Sequence, residues 1–180
     1  MMSSPWIRRA AGSLLVAATA LLAACGSGSV VSDLVPQRFI TVGDGFADVG
    51  QNGHRYTIND GSLNWVQQLA SYYSLTVAPA SSGGFGYAQG NARVATPDTS
   101  SGTNAPSVTA QVDALLARTT LGKNDVVFIN GGMSDIVAAV QATGISAATN
   151  ATVDTAARAL ADQVRRVVAA GATHVVVSGV

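Results

Sequence analysis

Two carboxylates, Asp44 and Asp48, stand four residues apart directly after the apolar run Phe39-Ile40-Thr41-Val42. Between them lie Gly45, Phe46 and Ala47. Acids at such a turn can cap the following backbone, hold a divalent cation, or carry protons for catalysis. Capping is the commonest use, and a cation site needs a third ligand that the sequence does not supply. A second group, Gly132-Met133-Ser134-Asp135, follows another apolar run, Asp125–Ile129. Ser134 there could serve as a nucleophile, but the G-x-S-x-G elbow requires glycine where Ile136 stands. Arg93, in the turn-rich stretch Gly86–Val94, is suited either to an anionic group or to pairing with a nearby Asp or carbonyl. The two histidines, His54 and His174, read as a solvated loop residue and a surface or edge residue. Gly43-Asp44-Gly45 opens like a dinucleotide fingerprint, yet Asp48 occupies its third glycine position and would repel a pyrophosphate.

Positioning these groups calls for strands that end at them. Four apolar strand candidates alternate with helical patterns, as a parallel α/β sheet requires. The strands are Arg38–Val42, a short one near Leu75–Val77, Asp125–Ile129 and His174–Val177. The last two are unbroken apolar runs of the buried type. Ser62 is the expected cap of a helix through Tyr73, with Trp65, Val66, Leu69 and Tyr73 on one face. Ser107 should cap a second helix, striped with Val108, Val112, Leu115 and Leu116. Asp135–Ala142 reads as a short helix. Thr152–Ala170 reads as a long one with Val153, Ala157, Leu160, Val164 and Val168 inward. Residues 79–104, rich in Gly, Ser, Thr and Asn, are expected to be mostly loop. The chain stops at Ser178-Gly179-Val180, on a buried-type strand with no covering helix, so a C-terminally incomplete domain is expected.

The 180 residues are 48% hydrophobic and 11% charged, enough for one globular core. Net charge is zero, all ten acids are Asp, and no basic cluster offers a nucleic-acid surface. At the N-terminus, Arg8 and Arg9 precede an apolar run, Ala10–Ala24, which ends at Leu22-Ala23-Ala24-Cys25-Gly26-Ser27. This is the layout of an export signal, and the run falls short of the ~20 residues of a spanning helix. Cys25 is the sole cysteine. Residues 1–24 are therefore read as a signal peptide, 25–36 as a flexible tether and 37–180 as the domain.

Three stretches, in order, resemble the signatures of the GDSL (SGNH) ester hydrolases. Gly43-Asp44-Gly45-Phe46-Ala47-Asp48 resembles the first, Gly-Asp-Ser-Leu-Ser-Asp. Gly86-Tyr87-Ala88-Gln89-Gly90-Asn91-Ala92-Arg93-Val94 resembles the second, and Gly132-Met133-Ser134-Asp135 the third, Gly-x-Asn-Asp. The resemblance spans about Phe39 to Val180. It implies a three-layer, flavodoxin-like α/β fold, a parallel sheet with helices on both faces. It also implies hydrolysis of carboxylic esters such as lipids or acylated sugars, without metal or organic cofactor. The positions matching the family's nucleophile and its two further oxyanion donors are Gly45, Asn91 and Ser134. Asp44, Asp48, Gly90, Arg93 and Asp135 are expected to line the cleft. The family's base lies in an Asp-x-x-His, whereas Gln51 and Gly171 stand three residues before His54 and His174.

The expectation is thus a degenerate family member that binds an acyl or glycan ligand. One alternative is a working esterase with an unrecognised nucleophile and a base beyond Val180; another is a structural envelope lipoprotein. Leu22-Ala23-Ala24-Cys25 resembles the bacterial lipobox, which implies lipidation at Cys25. Gly26 after the cysteine favours the outer membrane.

Overall fold

The computed structural model describes residues 33–178. The expected signal peptide, Cys25, the tether up to residue 32, and Gly179-Val180 lie outside the described residues. The strands are β1 (Arg38–Val42), β2 (Asp125–Asn130) and β3 (His174–Ser178). They form one sheet in the order β1-β2-β3, and both pairings are parallel. The helices are α1 (Trp65–Tyr72), α2 (Val108–Arg118), α3 (Met133–Thr143) and α4 (Ala147–Ala169), with 3-10 turns at Gly45–Ala47 and Ala80–Ser82. No described helix is long and apolar enough to cross a membrane.

Alternation along the strands divides the core. Ile40, Val42, Val127 and Ile129 face α2 and α4, packing with Val108, Val112, Leu115 and Val167. Phe39, Val126 and Phe128 face α1, packing with Val66 and Ala70. Side chains at period two thus bury both faces of the sheet, and β2 is buried at all six positions.

Several expected elements move. The cap of α1 is Asn64 and not Ser62: Asn64 Oδ1 accepts from Gln67 N–H at 3.0 Å and Gln67 Oε1 accepts from Asn64 N–H at 3.1 Å. That reciprocal box needs Gln or Glu three residues on, which Asn64 has and Ser62 lacks. Leu75–Val77 is not a strand. The outer edge of β1 is taken by residues 85–88 instead, with Thr41 N–H donating to Phe85 O and Thr41 O accepting from Tyr87 and Ala88 N–H. Ser107 caps α2 as expected, accepting from Ala110 N–H. Helix α4 begins earlier, at Ala147 behind the Ser146 cap, and its inward stripe is Thr149, Ala156, Gln163 and Val167. Ala157 is exposed and Val168 is 52% exposed, whereas Leu160 and Val164 do pack on the core. In β3 the burial is partial, with Val176 and Val177 about half exposed.

Candidate functional site

Both β1 and β2 end in backbone that must turn sharply away from the sheet. Gly43 follows β1 at φ 148°, and a Cβ there would fall 2.0 Å from Asn130 Oδ1. Only glycine permits that approach. Gln111, buried on α2, fixes the Gly43 peptide. Asp44 then caps the 3-10 turn, accepting from Phe46 N–H at 3.1 Å, and the same Oδ1 accepts from Asn130 Nδ2 at the end of β2. The ends of the two strands are therefore joined through a buried carboxyl–amide contact.

Around this junction lies a cleft of about 460 Å³ lined by Asp44, Gly45, Phe46, Tyr56, Thr57, Asn91, Asn130, Gly131, Met133 and Ser134. It lies beyond the carboxyl ends of parallel strands, where open α/β sheets place their ligands. Phe46, Tyr56 and Met133 supply apolar walls, each about half exposed. The polar side-chain groups are the Asp44 carboxyl, the Asn91 and Asn130 amides, the Thr57 and Ser134 hydroxyls and the Tyr56 phenol. Burial pushes the Asp44 carboxyl above its usual range, opposed by its hydrogen bonds from Phe46 and Asn130, while the charge of Asp135 adds to the rise.

The cleft brings together Gly45, Asn91 and Ser134 from three distant stretches of chain. Asn91 holds φ 67°, a left-handed conformation that glycine enters freely and asparagine more readily than most residues. Gly45 offers no side chain, and among the described residues no His, Lys or Arg lines the cleft. Among the described residues no hydrogen bond engages the Ser134 side chain.

Of the other expected cleft residues, only Asp44 lines this space. Asp48 and Gly90 support it from behind. Asp48 is fully buried; its Oδ1 accepts from Gly50 and Gln51 N–H, and its Oδ2 accepts from Gly90 N–H at 2.8 Å. That carboxylate therefore joins the first motif to the second. Asp135 does the same for the third, taking Val94 N–H on Oδ2 at 2.9 Å, with Arg93 Nε 3.5 Å from Oδ1. Arg93 thus faces an aspartate, one of the two readings its sequence left open. It also lines an adjoining groove with Asn91, Asp98, Met133 and Ser134. His54 is exposed, and neither histidine lines the cleft. No described group of three or more His, Cys, Asp or Glu is arranged to hold a metal ion.

Sequence reasoning did not find Asn130, Tyr56 or Gln111. Asn130 was within reach, as the last residue of a buried strand on the ligand side of the sheet. Tyr56 and Gln111 carry no local signal, because their roles arise from contacts with residues far along the chain.

The chain matches no protein-family model, and no curated protein matches it.

Proposed function

We propose that this chain is a degenerate ester-hydrolase-like domain of the GDSL (SGNH) type, which keeps a ligand cleft and has lost the means to cleave esters. The observation that carries the reading is the convergence of Gly45, Asn91 and Ser134 on one cleft beyond the strand ends. Gly45 and Ser134 follow β1 and β2, and Asn91 joins them from the intervening loop, as the order of the family's signatures implies. The helices on both faces of the sheet are compatible with the three-layer arrangement of that family. The mainly apolar walls with a few polar groups suit a short acyl group or one sugar ring.

Loss of a serine nucleophile costs about 10⁶-fold in turnover in triad enzymes. Loss of one oxyanion donor costs only about 10²–10³-fold. Glycine at position 45 therefore outweighs whatever remains of the oxyanion site. The chain should show no hydrolysis of p-nitrophenyl butyrate above background and no labelling by a fluorophosphonate probe. Gly45→Ser alone should restore little. No His, Lys or Arg among the described residues lines the cleft to act as its base, and its Cβ would come 2.9 Å from Tyr56 Cβ, forcing the Tyr56 segment to shift. Robust labelling of the unaltered chain at Ser134 would replace this reading with that of a working esterase. The lipobox-like Leu22-Ala23-Ala24-Cys25 supports export and lipid anchoring, with Gly26 favouring the outer membrane.

A further inference from the structure

The segment 51–63 contains neither helix nor strand and brings Tyr56 over the floor of the cleft. A Cβ at Gly90 would meet the Tyr56 ring carbons Cδ2 and Cε2 at 2.0 Å. One at Gly45 would meet Tyr56 Cβ at 2.9 Å and Cγ at 3.4 Å. The tyrosine side chain therefore lies against two glycines from two separate motifs, in the space side chains there would fill. Its tie to the far wall is weak. Asn91 Nδ2 donates to Tyr56 Oη at 3.3 Å, and the side chain makes no other hydrogen bond among the described residues. It is also 48% exposed, so one face of the ring is free to swing into solvent. The segment is better held: the Arg55 side chain donates from Nη1 to Gln67 Oε1 on α1 at 2.9 Å, and within the segment Arg55 N–H donates to Asn59 Oδ1 at 2.7 Å. A fixed hinge carrying a loosely held ring is the construction of a side-chain gate.

We propose that Tyr56 gates the inner end of this cleft and so determines what it admits. With the ring down, the Gly45–Gly90 floor is covered. With the ring out, a short uncharged acyl group can reach the main-chain N–H of Gly45, which has no protein acceptor among the described residues. The choice of ligand rests on the ester-hydrolase-like reading; the gate does not. A gate lowers apparent affinity by the fraction of time it is open, so a ring open about one-tenth of the time weakens binding about tenfold.

Two variants open the gate independently: Tyr56→Ala removes the ring, and Gly90→Ala displaces it. Tyr56→Phe keeps the ring and serves as control. Amide exchange by NMR reads the gate without ligand. Gly45 N–H should exchange about tenfold faster in both opened variants than in the unaltered chain or Tyr56→Phe, with Ile40 and Val127 amides unchanged as evidence of folding. Equal Gly45 exchange in all four proteins would overturn the gate. Ethyl butyrate binding, followed by Trp65 fluorescence, reads the ligand. Trp65 packs against the cleft residue Phe46, with ring centroids 5.3 Å apart and the planes tilted by 32°. Both opened variants should bind the ester about tenfold more tightly. Weaker binding in Tyr56→Ala would make the ring a platform and overturn the gate. Faster Gly45 exchange with no ester binding in any variant would keep the gate and sink the ligand reading.

Discussion

Gln111 grips the Gly43 peptide from both sides. Its Oε1 accepts from Gly43 N–H at 2.7 Å, and its Nε2 donates to Gly43 O at 2.9 Å. A side chain on α2 thereby supplies the hydrogen bonds that β1 can no longer make once it leaves the sheet. Gln111 Nε2 also donates to Pro106 O at 3.1 Å, which ties the start of α2 to the same point. Since Asp44 and Gly45 follow Gly43, this one amide sets the floor of the cleft.

Replacing it with an isosteric apolar residue should be costly. Gln111→Leu leaves the Gly43 N–H buried without a partner, at a cost of about 1–3 kcal/mol, while Gly43 O keeps the hydrogen bond from Gln89 N–H at 3.1 Å. The expected loss of unfolding free energy is about 1–3 kcal/mol, measured by urea denaturation. A loss within error of zero would mean that water or a shifted backbone satisfies Gly43.

Asp48 should prove a structural residue. Both of its oxygens accept main-chain N–H groups, from Gly50 and Gln51 on one side and Gly90 on the other. Asp48→Asn turns one acceptor into a donor facing an N–H. The midpoint of thermal unfolding should fall by roughly 2–10 °C. An unchanged midpoint would contradict the role assigned to this carboxylate.

Acid sensitivity should trace to Asp98. Burial alone would raise its pKa. Hydrogen bonds from the Ser101 hydroxyl, the Ser100 and Ser101 N–H groups and the Thr103 hydroxyl outweigh that and hold it well below the usual carboxylate range. A depressed folded-state pKa means stability that is present above the unfolded value, about 3.9, and lost as pH falls through the folded one. Asp98→Asn should therefore be less stable than the unaltered chain at pH 6, and the gap should narrow below about pH 4. Asp44 acts in the opposite sense. Its raised pKa gives stability that is full at low pH and lost as pH rises through the folded value. A gap between Asp98→Asn and the unaltered chain that stays constant from pH 6 to 2.5 would exclude Asp98 as the source.

Anchoring is tested at Cys25. Cys25→Ser should abolish acyl labelling in a bacterial host and release the protein from membranes into the soluble fraction. Membrane association that survives the substitution would remove the lipobox reading.

The amino-acid sequence by itself determined the strands Arg38–Val42 and Asp125–Ile129, the Ser107 cap and the three turn motifs. Each depends on local chemistry: unbroken apolar runs, a hydroxyl before a helix, glycine and aspartate at strand ends. Tertiary packing decided the rest. Helix α4 is alanine-rich, so adjacent stripes are nearly equal in apolar content, and contact with the sheet and α2 selected the one through Gln163 and Val167 over that through Val168. Leu75–Val77 has the composition of a strand, but the β1 edge is occupied by residues 85–88. In the cleft, the motifs supplied Gly45, Asn91 and Ser134. The Gln111 clamp, the Asp44–Asn130 contact and the approach of Tyr56 to Gly90 join residues dozens of positions apart. Spacing along a chain cannot encode such meetings, since they exist only once the strands have brought their ends together.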